Sequence, residues 1–108
     1  MLKKTSRLNS ASFNTLLAQG RRLHNMYSTV IYAPATSFAC VVVVGKKIFK
    51  KAHDRNRLRR RVYAVISRLV ADKKPTGAYI VLIKPNIKEL TKNEVIEVIK
   101  KEVGRVIK

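Results

Sequence analysis

Acidic residues are scarce in this chain. Six Asp or Glu stand against 24 Lys or Arg among 108 residues, a net charge of +18. A nuclease that holds its own catalytic metal ions needs clustered carboxylates. Only Asp54 and Asp72 precede residue 89, and a helix cap and a turn are sufficient roles for them. Metal-dependent hydrolysis by the chain's own side chains is therefore disfavoured. A surface laced with salt bridges is equally short of partners. Cysteine is limited to Cys40, so no intramolecular disulfide can form, and one cysteine with His24 and His53 does not complete a metal set. Cys40 lies in the apolar run FACVVVV and reads as a small core residue, the two histidines as surface residues. No nucleophile–base arrangement is visible. Apolar runs fall far short of the ~20 residues of a membrane span. The basic start Met1-Leu2-Lys3-Lys4 is not followed by the apolar stretch of a signal peptide. The expectation is a soluble cytoplasmic protein with no membrane partner. Internal repeats, low-complexity segments and linkers are also missing, so residues 1–108 read as a single domain.

What the chain has in abundance is positive charge at fixed places. Residues 46–61, KKIFKKAHDRNRLRRR, hold nine Lys or Arg against one acid, Asp54. Ile48, Phe49, Ala52 and Leu58 interrupt the run, so a folded element carries the charge rather than a loose tail. Residues 1–88 carry 19 basic and 2 acidic side chains, whereas residues 89–108 carry 5 and 4. The C-terminal segment is thus not expected to be the main anion-binding surface. Such imbalance costs stability through self-repulsion, and a polyanionic partner offsets it. Neutralising phosphates releases condensed counterions, which makes nucleic acid the natural partner.

Apolar periodicity places the elements. Residues 10–19 read as a helix with Ser10 or Ser12 as N-cap, Phe13, Leu16 and Leu17 on one face and Gly20 at C′. MYSTVIYA (26–33) reads as a strand, and Pro34 to Ser37 as a turn. FACVVVV (38–44), apolar at every position, is expected to be a central strand covered on both faces. After the basic connection 45–53, Asp54 is the expected N-cap of a helix whose Leu58, Val62, Val65, Ile66 and Leu69 share a core face. Arg57, Arg61 and Arg68 then lie together on the far side, with Asn56, Arg59 and Tyr63 as a flanking polar strip. Asp72 to Gly77 reads as a turn, and AYIVLI (78–83) as a strand ended by Lys84-Pro85. Thr91 and Glu94 form a capping-box pattern, followed by a helix burying Val95, Ile99, Val103 and Val106, with Ile96 alongside. The order α-β-β-α-β-α, with room for one further strand, is an α+β sandwich of helices on a small sheet.

These residues resemble the bacterial ribonuclease P protein family. Its signature is a strand, a Lys-Lys pair, a short basic loop, and Arg-Asn-Arg opening a helix. Here these are Lys46-Lys47 and Arg55-Asn56-Arg57-Leu58-Arg59-Arg60. Arg7-Leu8 before Phe13, Leu17 and Gly20 resembles the family's first helix, and AYIVLIKP with a Thr-capped last helix resembles its end. The resemblance implies a fold similar to the second domain of a ribosomal small-subunit protein, with a left-handed βαβ crossover. It also implies a protein that breaks no bond itself. The RNA partner, ribonuclease P RNA, removes the 5′ leader of precursor tRNA with Mg²⁺, and no small molecule is the substrate. The RNA-binding set implied is Lys46, Lys47, Lys50, Lys51, Arg55, Asn56, Arg57, Arg59, Arg60 and Arg61. A leader cleft between the first helix and the sheet is expected to use Phe13, Leu17, Tyr32 and Tyr63. Leu17 stands where the family often has a second aromatic, Tyr63 where it has a basic residue, and Gly45 where it often has Ser.

Bland alternatives stand beside these roles. Phe13 serves equally as core packing or as a platform for a leader base. Tyr27 and Tyr32 have opposite strand parity, so at most one faces a given cleft. A structural RNA-binding protein of ribosomal type would share the composition but not the Lys46–Arg60 signature. A helix-turn-helix DNA binder does not fit strands on both sides of the basic helix.

Overall fold

The computed structural model describes residues 10–107. In order, it contains α1 (Ser10–Gln19), β1 (Arg21–His24), β2 (Ser28–Ala33), β3 (Phe38–Val43), α2 (Ala52–Lys73), β4 (Gly77–Ile83), a 3₁₀ turn (Pro85–Glu89) and α3 (Lys92–Gly104). The four strands form one mixed sheet in the order β1-β2-β4-β3. β2 runs antiparallel to both β1 and β4, while β3 runs parallel to β4. That parallel pair is joined by α2, since a parallel connection needs a crossover long enough to return the chain.

Strand alternation sends the two sheet faces to two different cores. Val30, Cys40, Val42, Tyr79, Val81 and Ile83 pack beneath α2 and α3 with Leu58, Val62, Ile66, Ile99 and Val103. Ile31 and Ile80 point the other way and pack beneath Leu16 of α1. Cys40 is a fully buried core residue, and burial pushes its thiol pKa up to about 12.

Two expectations change at this level, the place of β3 and the end of α2. β3 is an edge strand, not a central one. Its α2-facing residues Phe38, Cys40 and Val42 are buried, but Ala39, Val41 and Val43 on the α1 side are half-open. A ten-residue α1 covers only part of that face, which leaves these apolar side chains partly open. The further strand for which the sequence left room is β1, which pairs Arg21–His24 with Thr29–Tyr32. Its side chains are mostly exposed, so it lacks the apolar signal of the other strands. Asp72 belongs to the last turn of α2, and the chain turns at Lys74 (φ 46°) and Gly77 (φ 114°) instead.

Local chemistry fixes the remaining ends. Gly20 donates its N–H to Leu16 O at 2.7 Å, ending α1. A Cβ there would lie 2.6 Å from that oxygen and 2.7 Å from Ile31 Cγ2, so close approach to the sheet demands glycine. α1 includes both Ser10 and Ser12, and the residue preceding it lies outside the described ones. Thr91 and Glu94 form the expected capping box, with Thr91 N–H to Glu94 Oε1 at 2.8 Å and Glu94 N–H to Thr91 Oγ1 at 3.3 Å.

Candidate nucleic-acid interface

The loop from β3 to α2 explains why apolar residues interrupt the basic run. Val44 and Ile48 are buried anchors and Phe49 is half-buried. Lys46 and Lys47 between these anchors, and Lys50 and Lys51 just after them, are exposed. The core thus pins the loop at its apolar points and leaves the ammonium groups in solvent. Lys88, from the turn after β4, adds its ammonium 5.5 Å above the Phe49 ring.

Arg55 works as a latch. Its Nη1 donates to Phe49 O at 2.9 Å and Lys50 O at 2.7 Å, tying the loop to the first turn of α2. Part of its hydrogen-bonding capacity is therefore spent on shaping the lysine loop. Asp54 is not the N-cap. Lys51 holds that place without a side-chain bond, and Asp54 sits inside the first turn. A carboxylate there still offsets the helix dipole. Its partner is His53, with Nε2 3.2 Å from Oδ1, an ion pair only when the imidazole is protonated. This is the one ion pair among the described residues, so no arginine of α2 is neutralised by an acid.

The basic residues of α2 divide between its two flanks. On the flank toward β3, His53, Asn56, Arg59, Arg60 and Tyr63 border a shallow hollow, and Arg59 Nη1 donates to Asn56 Oδ1 at 2.6 Å. On the other flank, Arg57, Arg60, Arg61 and Arg68 face α3 across a groove. Arg57 and Arg60 are exposed, and Arg59 and Arg61 are half-exposed. The Arg57–Arg61–Arg68 face read from the sequence is present.

The four aromatic and aliphatic cleft residues do not come together. Phe13 and Leu17 are half-buried on α1, beside a floor of Val41, Val43 and Leu82. Tyr32 faces the opposite side of the sheet, where its ring stacks on Tyr79 with centroids 6.4 Å apart. Tyr63 is 8% exposed and belongs to the α2–α3 core. Its hydroxyl accepts the Val42 N–H at 2.9 Å, so it covers an edge donor of β3 rather than presenting a free ring. Tyr27 also packs on the α2–α3 side. It precedes β2, so strand alternation does not reach it. The surface beside α1 is consequently aliphatic, with Phe13 as its aromatic ring.

Some charged residues carry roles that charge counting did not show. Lys92 and Lys100 of α3 line the groove opposite α2, although their segment is nearly neutral overall. Their spacing, with Ile96 between them, is one residue per helical turn and marks a shared face. Lys73 Nζ instead donates to Gly104 O at 3.0 Å and Ile107 O at 3.3 Å, closing the end of α3. Glu102 is buried, and its carboxylate accepts from Ser28 Oγ at 2.7 Å and Tyr27 N–H at 3.2 Å. Among the described residues, no three His, Cys, Asp or Glu side chains gather in a metal-binding arrangement. No described helix is long and apolar enough to cross a membrane.

Comparisons with known proteins agree with this geometry. A family model described as Ribonuclease P matches residues 2–106. A ribonuclease P protein component of Phytoplasma australiense is 39% identical over 56 residues, covering 52% of this chain and 48% of that protein. The match thus spans about half of each. The fold is similar to that of a Staphylococcus aureus RNase P protein mutant with defective mRNA degradation activity, with TM-score 0.82, 18% identity, and coverage of 95% of this chain and 89% of the other. It is also similar to RNase P protein from Thermotoga maritima, with TM-score 0.71, 21% identity and coverage of 88% and 96%.

Proposed function

The chain belongs to the bacterial ribonuclease P protein family, and from that premise we propose that it is the protein subunit of an RNA-based endoribonuclease that matures the 5′ end of tRNA. In this reading it binds ribonuclease P RNA and precursor tRNA in the cytoplasm, as one RNA-binding domain. The RNA and substrate hold the Mg²⁺ and carry out hydrolysis. The protein raises affinity and lowers the Mg²⁺ requirement by supplying cations where phosphates crowd.

The observation that carries this reading is the set of cations left without acid partners. Lys46, Lys47, Lys50 and Lys51 stand on a loop held by buried anchors. Asn56, Arg57, Arg59, Arg60 and Arg61 stand on the rigid helix that follows. A fixed array of this kind suits folded RNA, where phosphates are dense and fixed. The leader, being single-stranded, is assigned to the half-open face beside α1. Phe13 offers a ring there, and Leu17, Val41, Val43 and Leu82 a sequence-tolerant apolar floor. The same reading carries a left-handed β3–α2–β4 crossover and kinship with the second domain of a ribosomal small-subunit protein.

Sequencing the RNA that copurifies with the tagged protein tests the partner. Enrichment of ribonuclease P RNA and precursor tRNA is expected. Enrichment of ribosomal RNA instead would favour a structural RNA-binding role.

A further inference from the structure

The groove between α2 and α3 has a volume of about 690 Å³. Arg57, Arg61 and Arg68 line one wall and Lys92 and Lys100 the other, with Arg60 at the rim. Its floor is apolar, formed by Val65 and Leu69 of α2 and Ile96 of α3. Asp72 and Glu97 also border it, yet neither lies within ion-pair distance of any of these six cations. A cleft lined largely by one sign of charge over a low-dielectric floor focuses its field outward. The groove has no aromatic lining, so it offers no platform for stacking bases. What it offers an RNA is therefore contact with phosphates.

The groove also shares lining residues with two smaller hollows, one of which reaches Phe49 of the lysine loop. Arg60 borders both the groove and the hollow beside Asn56 and Arg59. Arg57 and Arg61 border a smaller hollow that includes Phe49 and Lys88. From Arg57 to Arg68 the helix rises about 16 Å, enough to meet more than one phosphate along a strand.

We infer that the α2–α3 groove is a second, sequence-independent track for an RNA phosphate backbone, in which Lys92 and Lys100 of α3 act together with Arg68. The inference rests on the RNA-binding reading above and extends the interface onto the C-terminal helix. An acidic protein segment would fit the charge of the walls, but the lining shared with the hollow that reaches the lysine loop favours RNA.

The test is binding of the full-length Arg68→Ala/Lys100→Ala variant to ribonuclease P RNA and to an unrelated folded RNA of equal length, across a salt series. Both residues are exposed, so an unchanged melting temperature is expected. The slope of log affinity against log salt should fall by about two units, one per lost phosphate contact. The charge-conserving Arg68→Lys/Lys100→Arg variant should keep the wild-type slope. An unchanged slope in the alanine variant, or an equal loss in the charge-conserving one, overturns the track. Because the track is sequence-independent, the slope on the unrelated RNA tests it separately. Wild-type protein that binds both RNAs equally would count against the ribonuclease P assignment alone.

Discussion

A single buried carboxylate shows how far one residue can matter in so basic a protein. Glu102 holds the start of β2 to α3 through Ser28 and Tyr27. Glu102→Ala leaves the Ser28 hydroxyl and the Tyr27 N–H without that acceptor. It should cost about 1–3 kcal/mol in thermal or urea unfolding. The residue was legible in principle, since it follows Ile99 by three and falls on the buried stripe of its helix. Periodicity alone treats a Glu there as an exception rather than a partner. Tyr63 depends on a partner in the same way. Tyr63 looked solvent-facing because its neighbours on the strip, Asn56 and Arg59, are polar. The ring turns inward because Val42 offers a donor within reach. Tyr63→Phe should lose about 1–3 kcal/mol of stability and leave affinity for precursor tRNA unchanged. Phe13→Ala should weaken binding of leader-bearing precursor by about 1–3 kcal/mol and spare mature tRNA. A comparable loss of folding stability with no loss of precursor affinity would assign Phe13 to packing instead.

Elements with strong internal logic were readable, and those defined by their neighbours were not. The core face of α2 follows from one period, and the capping box of α3 from two residues. Thr91→Ala should cost about 1 kcal/mol. The Thr91 backbone N–H, and secondarily its hydroxyl, hold the Glu94 carboxyl below its usual range. A carboxyl lowered in the folded state contributes stability that is fully present above its unfolded value. That contribution is lost as pH falls through the lower, folded value. Glu94→Gln should therefore flatten the acid limb of the stability curve, below about pH 4, while neutral-pH slopes stay the same. An unaltered acid limb in chemical denaturation would contradict this. The position of β3, by contrast, depends on which strand β4 prefers and on how much sheet a short helix covers. Neither is written in FACVVVV. The residues of the further strand, β1, were hidden for a related reason: an exposed edge strand rich in Arg protects itself with charge, which erases the apolar signal.

At the scale of the molecule, charge organises everything the core does not. The fold gathers the cations on the loop and helix α2, with α3 supplying the far wall of the groove, so the basic signature was legible while its closing wall was not. Lys92 and Lys100 are diluted by acids in sequence and become prominent only when α3 lies against α2. With one ion pair among the described residues, self-repulsion should be measurable in the free protein. Its melting temperature should rise as sodium chloride increases from about 0.01 to 0.15 M, where the screening length shrinks from roughly 30 to 8 Å. A flat or falling response would mean the charges are already balanced. The central claim is that this protein assists an RNA catalyst without cutting RNA itself. Cleavage of precursor tRNA at low Mg²⁺, measured with protein alone, ribonuclease P RNA alone and the two together, tests it most directly. The account predicts accurate removal of the leader only by the mixture. Cleavage at the correct site by RNA-free protein, or no gain from adding the protein to the RNA, would contradict it.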